Sequence, residues 1–303
     1  MTYESFKENL IAALQVHFPV GTSVFIQQFQ RNNHILLDGL SILEPGSNIS
    51  PTIYLSQYYA DCQKGVPFSD IQERILRCYY SHSAIQKVDT SFFTCFARVR
   101  SRIVYKLIHY EKNKQLLEQV PYVPYLDLAI VFYCLVQEAP YQNGMILIHT
   151  EHLDYWQIGA DELMSLASQN TPRLLPFCCQ SLAELLMPVI DGSVLEECGL
   201  TREEVESEAV PMYVLTNRLR QNGAGCLLYP GALEQVAGQI GGSYYILPSS
   251  IHEVIALPAS AAEDPQELSR IVREINLSEV LPEEVLSDCV YRFDMESGQL
   301  SVC

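Results

Sequence analysis

The sequence predicts an α+β protein in which an antiparallel or mixed sheet is built from β-hairpins that alternate with amphipathic helices. Apolar residues repeat at helical spacing in some segments, whereas short runs of β-forming residues flank turn residues in others. No segment shows the order of strand, helix and parallel strand that is typical of a βαβ protein. With 303 residues, of which 48% are apolar and 18% charged, the chain is long enough for one or two domains with buried cores.

The first hundred residues predict a helix, a hairpin and two further helices. Apolar residues repeat at helical spacing near the start, and two asparagines supply a turn between two β-forming runs. A serine followed by a proline is typical of a helix start. The predicted elements are a helix at residues 3–18, a hairpin of residues 23–30 and 35–43, and helices at residues 51–65 and from residue 69 onward.

The middle of the chain predicts a buried hairpin and a mainly helical stretch. A continuous apolar run at residues 128–136 is followed by the turn residues Gln142-Asn143-Gly144 and by a second short apolar run. The predicted elements are a strand at residues 103–108, a hairpin of residues 128–136 and 145–148 that is buried on both faces, and helices over most of residues 156–199.

The last third has the clearest local patterns. Asn222-Gly223 predicts a hairpin turn, Gly241 predicts the end of a helix, and Asp264 with Pro265 predicts the start of the next helix. The predicted elements are a hairpin of residues 213–216 and 224–229, a helix at residues 232–240, strands at residues 244–247 and 253–257, a helix with the apolar stripe Leu268, Ile271, Val272 and Ile275, and a hairpin of residues 290–294 and 299–302.

A domain boundary is predicted in the acidic segment at residues 203–208. It divides the chain into a helical and hairpin region, residues 1–205, and an α+β region, residues 206–303. No segment has the composition of a linker, so a single interlocked domain remains an open alternative.

The net charge restricts the partners of the protein. The chain has 19 basic and 36 acidic residues, which gives −17 with neutral histidines. Such a surface repels phosphate backbones and anionic lipid, and no run of 18 apolar residues is present, so we expect neither nucleic acid nor membrane as a partner. A protein partner is compatible with the charge, and the oligomeric state is left open.

The ten cysteines predict a reducing compartment. They are scattered, form no C-x-x-C motif, and mostly lie in apolar or amphipathic stretches, so free thiols and a cytoplasmic location are expected. Structural zinc is not expected, because His149 and His152 have no second pair of ligands nearby. No phosphate-binding or dinucleotide motif is present, and we predict no cofactor.

The motif Ser249-Ser250-Ile251-His252-Glu253 contains the candidate catalytic residues. A hydroxyl, an imidazole and a carboxylate within five residues could supply a nucleophile, a base and an orienting group. Known triads take their members from distant segments, however, and a proline with two serines also makes a turn. The alternative is therefore structural: His252 or Glu253 caps a helix or pairs across the sheet.

Polar residues at predicted strand ends are the remaining candidates. Tyr213, Asn217 and Asn222 lie around a predicted turn and are the ligand-binding candidates. Asp127 and Asp288 precede apolar strands and could also belong to a site. Residues of this kind more often satisfy backbone groups at turns.

Four short sequence segments resemble one family of uncharacterised proteins. They are residues 48–55, residues 213–217 with 222–224, residues 247–255 and residues 286–291. The family is known from anaerobic gut Firmicutes as a domain of unknown function, and the last third also resembles uncharacterised bacillar proteins. The resemblance implies a bacterial cytoplasmic protein and no particular activity.

Two functions remain open from the sequence. The first is a non-enzymatic binding or regulatory protein whose acidic surface and tyrosine-rich helices contact a protein partner. The second is a hydrolase or transferase centred on His252 and Glu253, with Ser249 or Ser250 as the nucleophile. The absence of a recognisable catalytic motif favours the first.

Overall fold

The computed structural model describes residues 1–48, 50–82, 91–136, 144–186, 210–262 and 264–303. In these residues, antiparallel strands form sheets that are accompanied by helices, which confirms the predicted α+β class. The chain divides into two units. The first contains residues 1–94, and the second contains the described residues from Cys95 to Cys303.

The first unit combines helices with a three-stranded sheet in the order β1-β2-β3. Its elements are α1 (Tyr3–Gln15), β1 (Ser23–Gln30), β2 (Leu36–Leu43), β3 (Thr52–Tyr54), α2 (Ser56–Gln63), α3 (Phe68–His82) and α4 (Ser91–Thr94). Helical spacing places Phe6, Leu10 and Leu14 on one side of α1, and all three are fully buried. The predicted hairpin and the predicted helix near residue 69 are confirmed by β1, β2 and α3.

The predicted start of the second helix is wrong. Residues 52–54 form β3, which pairs antiparallel with β2, and the helix begins only at Ser56. Ser50 does not cap a helix, because its hydroxyl oxygen accepts a hydrogen bond from the backbone N–H of Ile42 at 2.9 Å. Pairing with a neighbouring strand and burial of Ile53 outweigh the local helix signal.

The second unit contains a smaller sheet around one buried strand. Its strands are β4 (Ile103–His109), β5 (Tyr122–Tyr125), β6 (Leu128–Val136) and β7 (Gly144–Leu147), and β6 pairs antiparallel with the other three. The predicted pairing of residues 128–136 with residues 145–148 is confirmed. Gln142 and Asn143 of the predicted turn lie outside the described residues.

A six-stranded antiparallel sheet forms the rest of the second unit. Its order is β13-β12-β10-β11-β9-β8, with β8 (Phe177–Ser181), β9 (Tyr213–Asn217), β10 (Tyr244–Leu247), β11 (Val254–Pro258), β12 (Tyr291–Asp294) and β13 (Gln299–Val302). The helices of this unit are α5 (Phe96–Val99), α6 (Lys114–Leu117), α7 (Thr150–Trp156), α8 (Ala160–Leu174), α9 (Leu182–Leu186), α10 (Ala232–Ile240) and α11 (Pro265–Ser278). The last predicted hairpin is confirmed by β12 and β13.

Helix ends in this unit follow the local sequence. Gly241 ends α10 in the left-handed conformation with φ +82°, which a residue without a Cβ adopts at little cost. The carboxylate of Asp264 accepts a hydrogen bond from the backbone N–H of Gln266 at 2.8 Å and so caps α11. Both predicted helix boundaries are confirmed.

Two predictions in the second unit are wrong. Residues 177–181 were expected in a helix but form β8, because Pro176 follows the end of α8 and β9 offers hydrogen bonds to the next residues. Residues 224–229 were expected in a hairpin strand, but Gly223–Leu228 is a 3₁₀ helix. The reason is that β9 pairs with β8 on one edge and β11 on the other, so no edge remains for a hairpin partner.

The predicted boundary at residues 203–208 lies outside the described residues. β8 and β9 lie on either side of it in the chain and pair in one sheet. The division at residue 205 stays a prediction. Within the described ranges, no helix has the length and apolar character needed to cross a membrane.

Candidate functional site

The predicted catalytic motif forms a closed turn between β10 and β11, which we call the His252 turn (residues 248–253). The hydroxyl of Ser250 accepts a hydrogen bond from the backbone N–H of His252 at 3.0 Å. The backbone N–H of Ser250 donates to the carbonyl of Glu253 at 3.1 Å. These bonds close the turn that the proline and the two serines predict.

The imidazole of His252 has a partner at each ring nitrogen. Its Nδ1 accepts a hydrogen bond from the backbone N–H of Asn222 at 3.1 Å, and its Nε2 lies 3.4 Å from Oε1 of Glu284. Because Nδ1 accepts from an N–H group, the ring proton of the neutral imidazole lies on Nε2 and faces the carboxylate. The histidine side chain is 29% exposed.

Backbone contacts hold the His252 turn against β9 and the next loop. The hydroxyl of Thr216 donates to the carbonyl of His252 at 2.7 Å. The backbone N–H of Ile251 donates to the carbonyl of Glu284 at 2.8 Å. A Cβ on Gly223 would overlap Thr216 and the carbonyl of His252, so this close approach requires glycine.

The other predicted catalytic side chains do not reach His252. Within the described residues, neither Ser249 nor Glu253 makes a side-chain hydrogen bond to the imidazole, and the hydroxyl of Ser250 contacts a backbone N–H instead. This arrangement holds the histidine in place and presents no serine to it. The catalytic role of these residues stays a prediction.

The predicted ligand-binding residues are only partly brought together. Asn222 contacts His252 through its backbone, and its side-chain amide donates to Sδ of Met145 at 3.1 Å. The carbonyl oxygen of the Asn217 side chain accepts from the backbone N–H of Leu219 at 3.0 Å. Tyr213 begins β9, four residues and about 13 Å away from Asn217, and so does not join this group.

A second polar cluster was only partly predicted. We call it the Asp127 network: Asp127, Ser287, Tyr291, Asp288 and Asn276. One carboxylate oxygen of Asp127 accepts from the Tyr291 hydroxyl at 2.8 Å, and the other accepts from the Ser287 hydroxyl. Ser287 and Tyr291 are fully buried. Because Asp127 precedes β6 and Tyr291 begins β12, this network joins the two sheets of the second unit.

The outer part of the Asp127 network includes a contact with a lysine side chain. Asn276 donates to the carbonyl of Ser287 at 2.9 Å and to Asp288 at 2.8 Å, and Lys112 lies 3.4 Å from Asp288. Burial alone would raise the pKa of Asp288, but the bonds from Asn276 and Lys112 outweigh it and hold that pKa below its usual range. Asp288 therefore remains ionised in this arrangement.

The thiol beside the Asp127 network is not activated, and no metal-binding group occurs among the described residues. Burial and the nearby Asp127 raise the pKa of the Cys289 thiol, which keeps it protonated and unreactive. The described residues contain no group of three or more histidines, cysteines or carboxylates that could hold a metal ion. Nine cysteines are free thiols in the structure, and Cys198 lies outside the described residues.

Sequence reasoning missed the distant partners of both clusters. It identified Asp127 and Asp288 as polar residues at strand ends, but not that Ser287 and Tyr291 bind the first of them. Glu284 was also missed. Residues 286–291 formed one of the segments that resemble a known family, and this was the available sign that the loop before β12 matters.

Comparison with known proteins identifies the family and no activity. The model of a family of unknown function, DUF5688, matches residues 3–295, and the chain therefore belongs to this family. No curated protein and no solved structure matches the chain. The predicted membership of an uncharacterised family is confirmed, whereas the expected bacterial origin and the bacillar similarity stay predictions.

Proposed function

We propose that this member of DUF5688 is a cytoplasmic, non-enzymatic binding protein that acts through contact with a protein partner. The arrangement of His252 is the observation that supports it. A general base needs a free nitrogen lone pair within reach of the proton it removes. In the His252 turn, the lone pair of Nδ1 accepts the N–H of Asn222, and Nε2 faces Glu284.

The alternative is a hydrolase or transferase that uses Ser249 or Ser250 with His252. This activity would require the turn to open, so that the hydroxyl of Ser250 leaves the backbone N–H of His252 and approaches the ring. The proposal and the alternative therefore differ in what happens when His252 is changed. Loss of a structural histidine lowers stability, whereas loss of a catalytic one removes reactivity.

The test compares His252→Ala with the matched variant His252→Asn. Alanine leaves the N–H of Asn222 without an acceptor, and we expect the unfolding free energy to fall by about 1 to 3 kcal/mol. The side-chain oxygen of asparagine occupies a position close to Nδ1 and should restore most of that loss. Thermal and chemical denaturation followed by circular dichroism measures both variants.

A fluorophosphonate probe tests the alternative directly, because it labels activated serines. We expect no labelling of the wild-type chain at Ser249 or Ser250, as measured by intact mass and peptide mapping. Ser249→Ala should change the unfolding free energy by less than about 0.5 kcal/mol. Labelling of either serine that disappears in His252→Ala would overturn the proposal and support the hydrolase.

A further inference from the structure

Only part of the apolar stripe of helix α11 is covered by the rest of the protein. Leu268 and Val272 pack with Tyr245 and Val290 in a core cluster against the six-stranded sheet. Asn276, one turn after Val272, is also buried and binds the loop that follows. These residues define the side of α11 that faces the protein.

The remaining apolar residues of the stripe lie on an exposed flank. Ile271 is 40% exposed and Ile275 is 44% exposed, and they are neighbours on the helix because four residues separate them. At 100° per residue, both lie beside the buried line of Leu268 and Val272 rather than on it. The sequence therefore specifies a wider apolar face than the described residues cover.

The border of this flank is acidic. Glu267 lies four residues before Ile271 and Glu274 lies three residues after it, so both carboxylates are its neighbours on the helix surface. Residues 264–284 contain six carboxylates and two arginines. Glu267 forms a largely exposed ion pair with Arg270 at 3.0 Å, and the two arginines together leave these residues with a net charge of −4.

The acidic residues beside the two isoleucines favour one kind of binding partner over the others. A second copy would bring the same carboxylates against each other, which disfavours a pair of α11 helices around a two-fold axis. Helices that lie on membranes have lysine and arginine beside their apolar face, and α11 has glutamate there. A basic amphipathic helix would match both the apolar residues and the charge.

We propose that Ile271, Ile275, Glu267 and Glu274 form a docking surface for a basic amphipathic helix of a partner protein. This surface, the α11 flank, rests on the proposed binding function and names the chemistry of the partner. The apolar side of the partner helix covers the two isoleucines, and its lysines or arginines pair with the two glutamates. Electrostatic attraction makes the binding dependent on salt.

The probe is a fluorescent helical peptide of about 18 residues with leucine along one face and lysine elsewhere. A second peptide has glutamate in place of lysine. Fluorescence anisotropy with the full chain should show binding of the lysine peptide that weakens as salt is added, and no binding of the glutamate peptide. Binding of both peptides with equal affinity would overturn the proposal.

Matched variants locate the binding on α11. Ile271→Ser with Ile275→Ser should weaken binding at least about tenfold. Leu277→Ser is the control, since Leu277 is 89% exposed and lies on the opposite side of the helix. Glu267→Gln with Glu274→Gln should reduce affinity and salt dependence more than Asp161→Asn with Glu162→Gln, which removes the same charge from the first turn of α8.

Three results would overturn this assignment. An equal effect of the Leu277 control would show that the peptide binds elsewhere. A large fall in melting temperature of the double isoleucine variant would show that residues of this chain already cover the flank. Sedimentation that detects a dimer abolished by that variant would identify a second copy as the occupant. None of these results involves the serine labelling, so the proposed function is tested separately.

Discussion

The Asp127 network and the His252 turn lie at the two ends of one loop but are built differently. In the network, hydroxyls from β12 and its preceding loop donate to a carboxylate about 160 residues away in the sequence. In the turn, two bonds lie within residues 248–253, and others join the turn to Thr216, Asn222 and Glu284, which are 30 to 36 residues away in the sequence. The centre of the first cluster is buried and connects two sheets, whereas the second is partly exposed and connects a turn to β9 and to the loops at Asn222 and Glu284.

This difference shows where a polar group is costly to change. A buried hydroxyl that loses its acceptor cannot bind water instead, so its desolvation is not compensated. A half-exposed imidazole can be replaced in part by water. We therefore expect the Asp127 network to contribute more to stability than the His252 turn, although only the turn resembles a catalytic motif.

The largest expected effect is that of Asp127→Ala. The change leaves the hydroxyls of Ser287 and Tyr291 without their carboxylate, and at about 1 to 3 kcal/mol for each buried group the unfolding free energy should fall by about 4 kcal/mol. Asp288→Ala is the control, because this carboxylate is 39% exposed and should cost about 1 kcal/mol. If urea denaturation showed that both variants lose the same unfolding free energy, the expected difference between the buried and the partly exposed carboxylate would be refuted.

Gly223→Ala should have the next largest effect. The added methyl group would overlap the Thr216 hydroxyl and the carbonyl of His252, and relief of that overlap should cost about 3 kcal/mol. The control is Gly238→Ala on the exposed side of α10, where nothing lies within 4 Å and alanine should add about 0.5 to 1 kcal/mol. Thermal melting of both variants measures this contrast, and an unchanged Gly223→Ala would show that the turn is not tightly held.

A smaller effect concerns pH and the histidine beside the Asp127 network. Burial and then Lys112 lower the pKa of His109, although Asp127 and Asp288 act in the opposite direction. The unfolded chain, with a histidine pKa of about 6.5, therefore binds the proton more readily than the folded chain. The stability that depends on a neutral His109 is fully present above about pH 6.5. It is lost as the pH falls through the lowered pKa of His109 in the folded state.

His109→Asn should reduce this loss between about pH 7 and pH 5.5, because asparagine does not take up a proton in this range. Its side-chain oxygen can still accept the hydrogen bond from the backbone N–H of Lys112. His152 contributes in the same direction, since burial and then His149 lower its pKa. Urea denaturation at a series of pH values measures how the unfolding free energy changes with pH in the wild type and in His109→Asn. An unchanged pH dependence in His109→Asn would show that other groups control the acid sensitivity.

Elements with strong local patterns were predicted correctly. The β1–β2 hairpin, the Asp264 cap and the Gly241 helix end each depend on residues within a few positions of one another. Local preference and tertiary structure agree at these places. The same holds for residues 248–253, where the proline and the two serines predict the turn that the structure contains.

The parts that were missed depend on distant neighbours. Residues 224–229 have the composition of a strand, but β9 already has partners on both edges. The local sequence of β8 predicts a helix, because its partner strand β9 follows more than thirty residues later in the chain. Asp127 could be identified as unusual, yet a single sequence contains nothing that pairs it with Ser287.

The loop that links the two clusters, residues 284–287, depends more on its length than on its amino-acid composition. Glu284 binds the His252 turn, and Ser287 binds Asp127, with only two buried residues between them. A chain of three residues reaches at most about 11 Å, so it has little slack. One inserted or deleted residue would move either Glu284 away from the His252 turn or Ser287 away from Asp127. Related chains should therefore tolerate substitutions at positions 285 and 286 far better than gaps there.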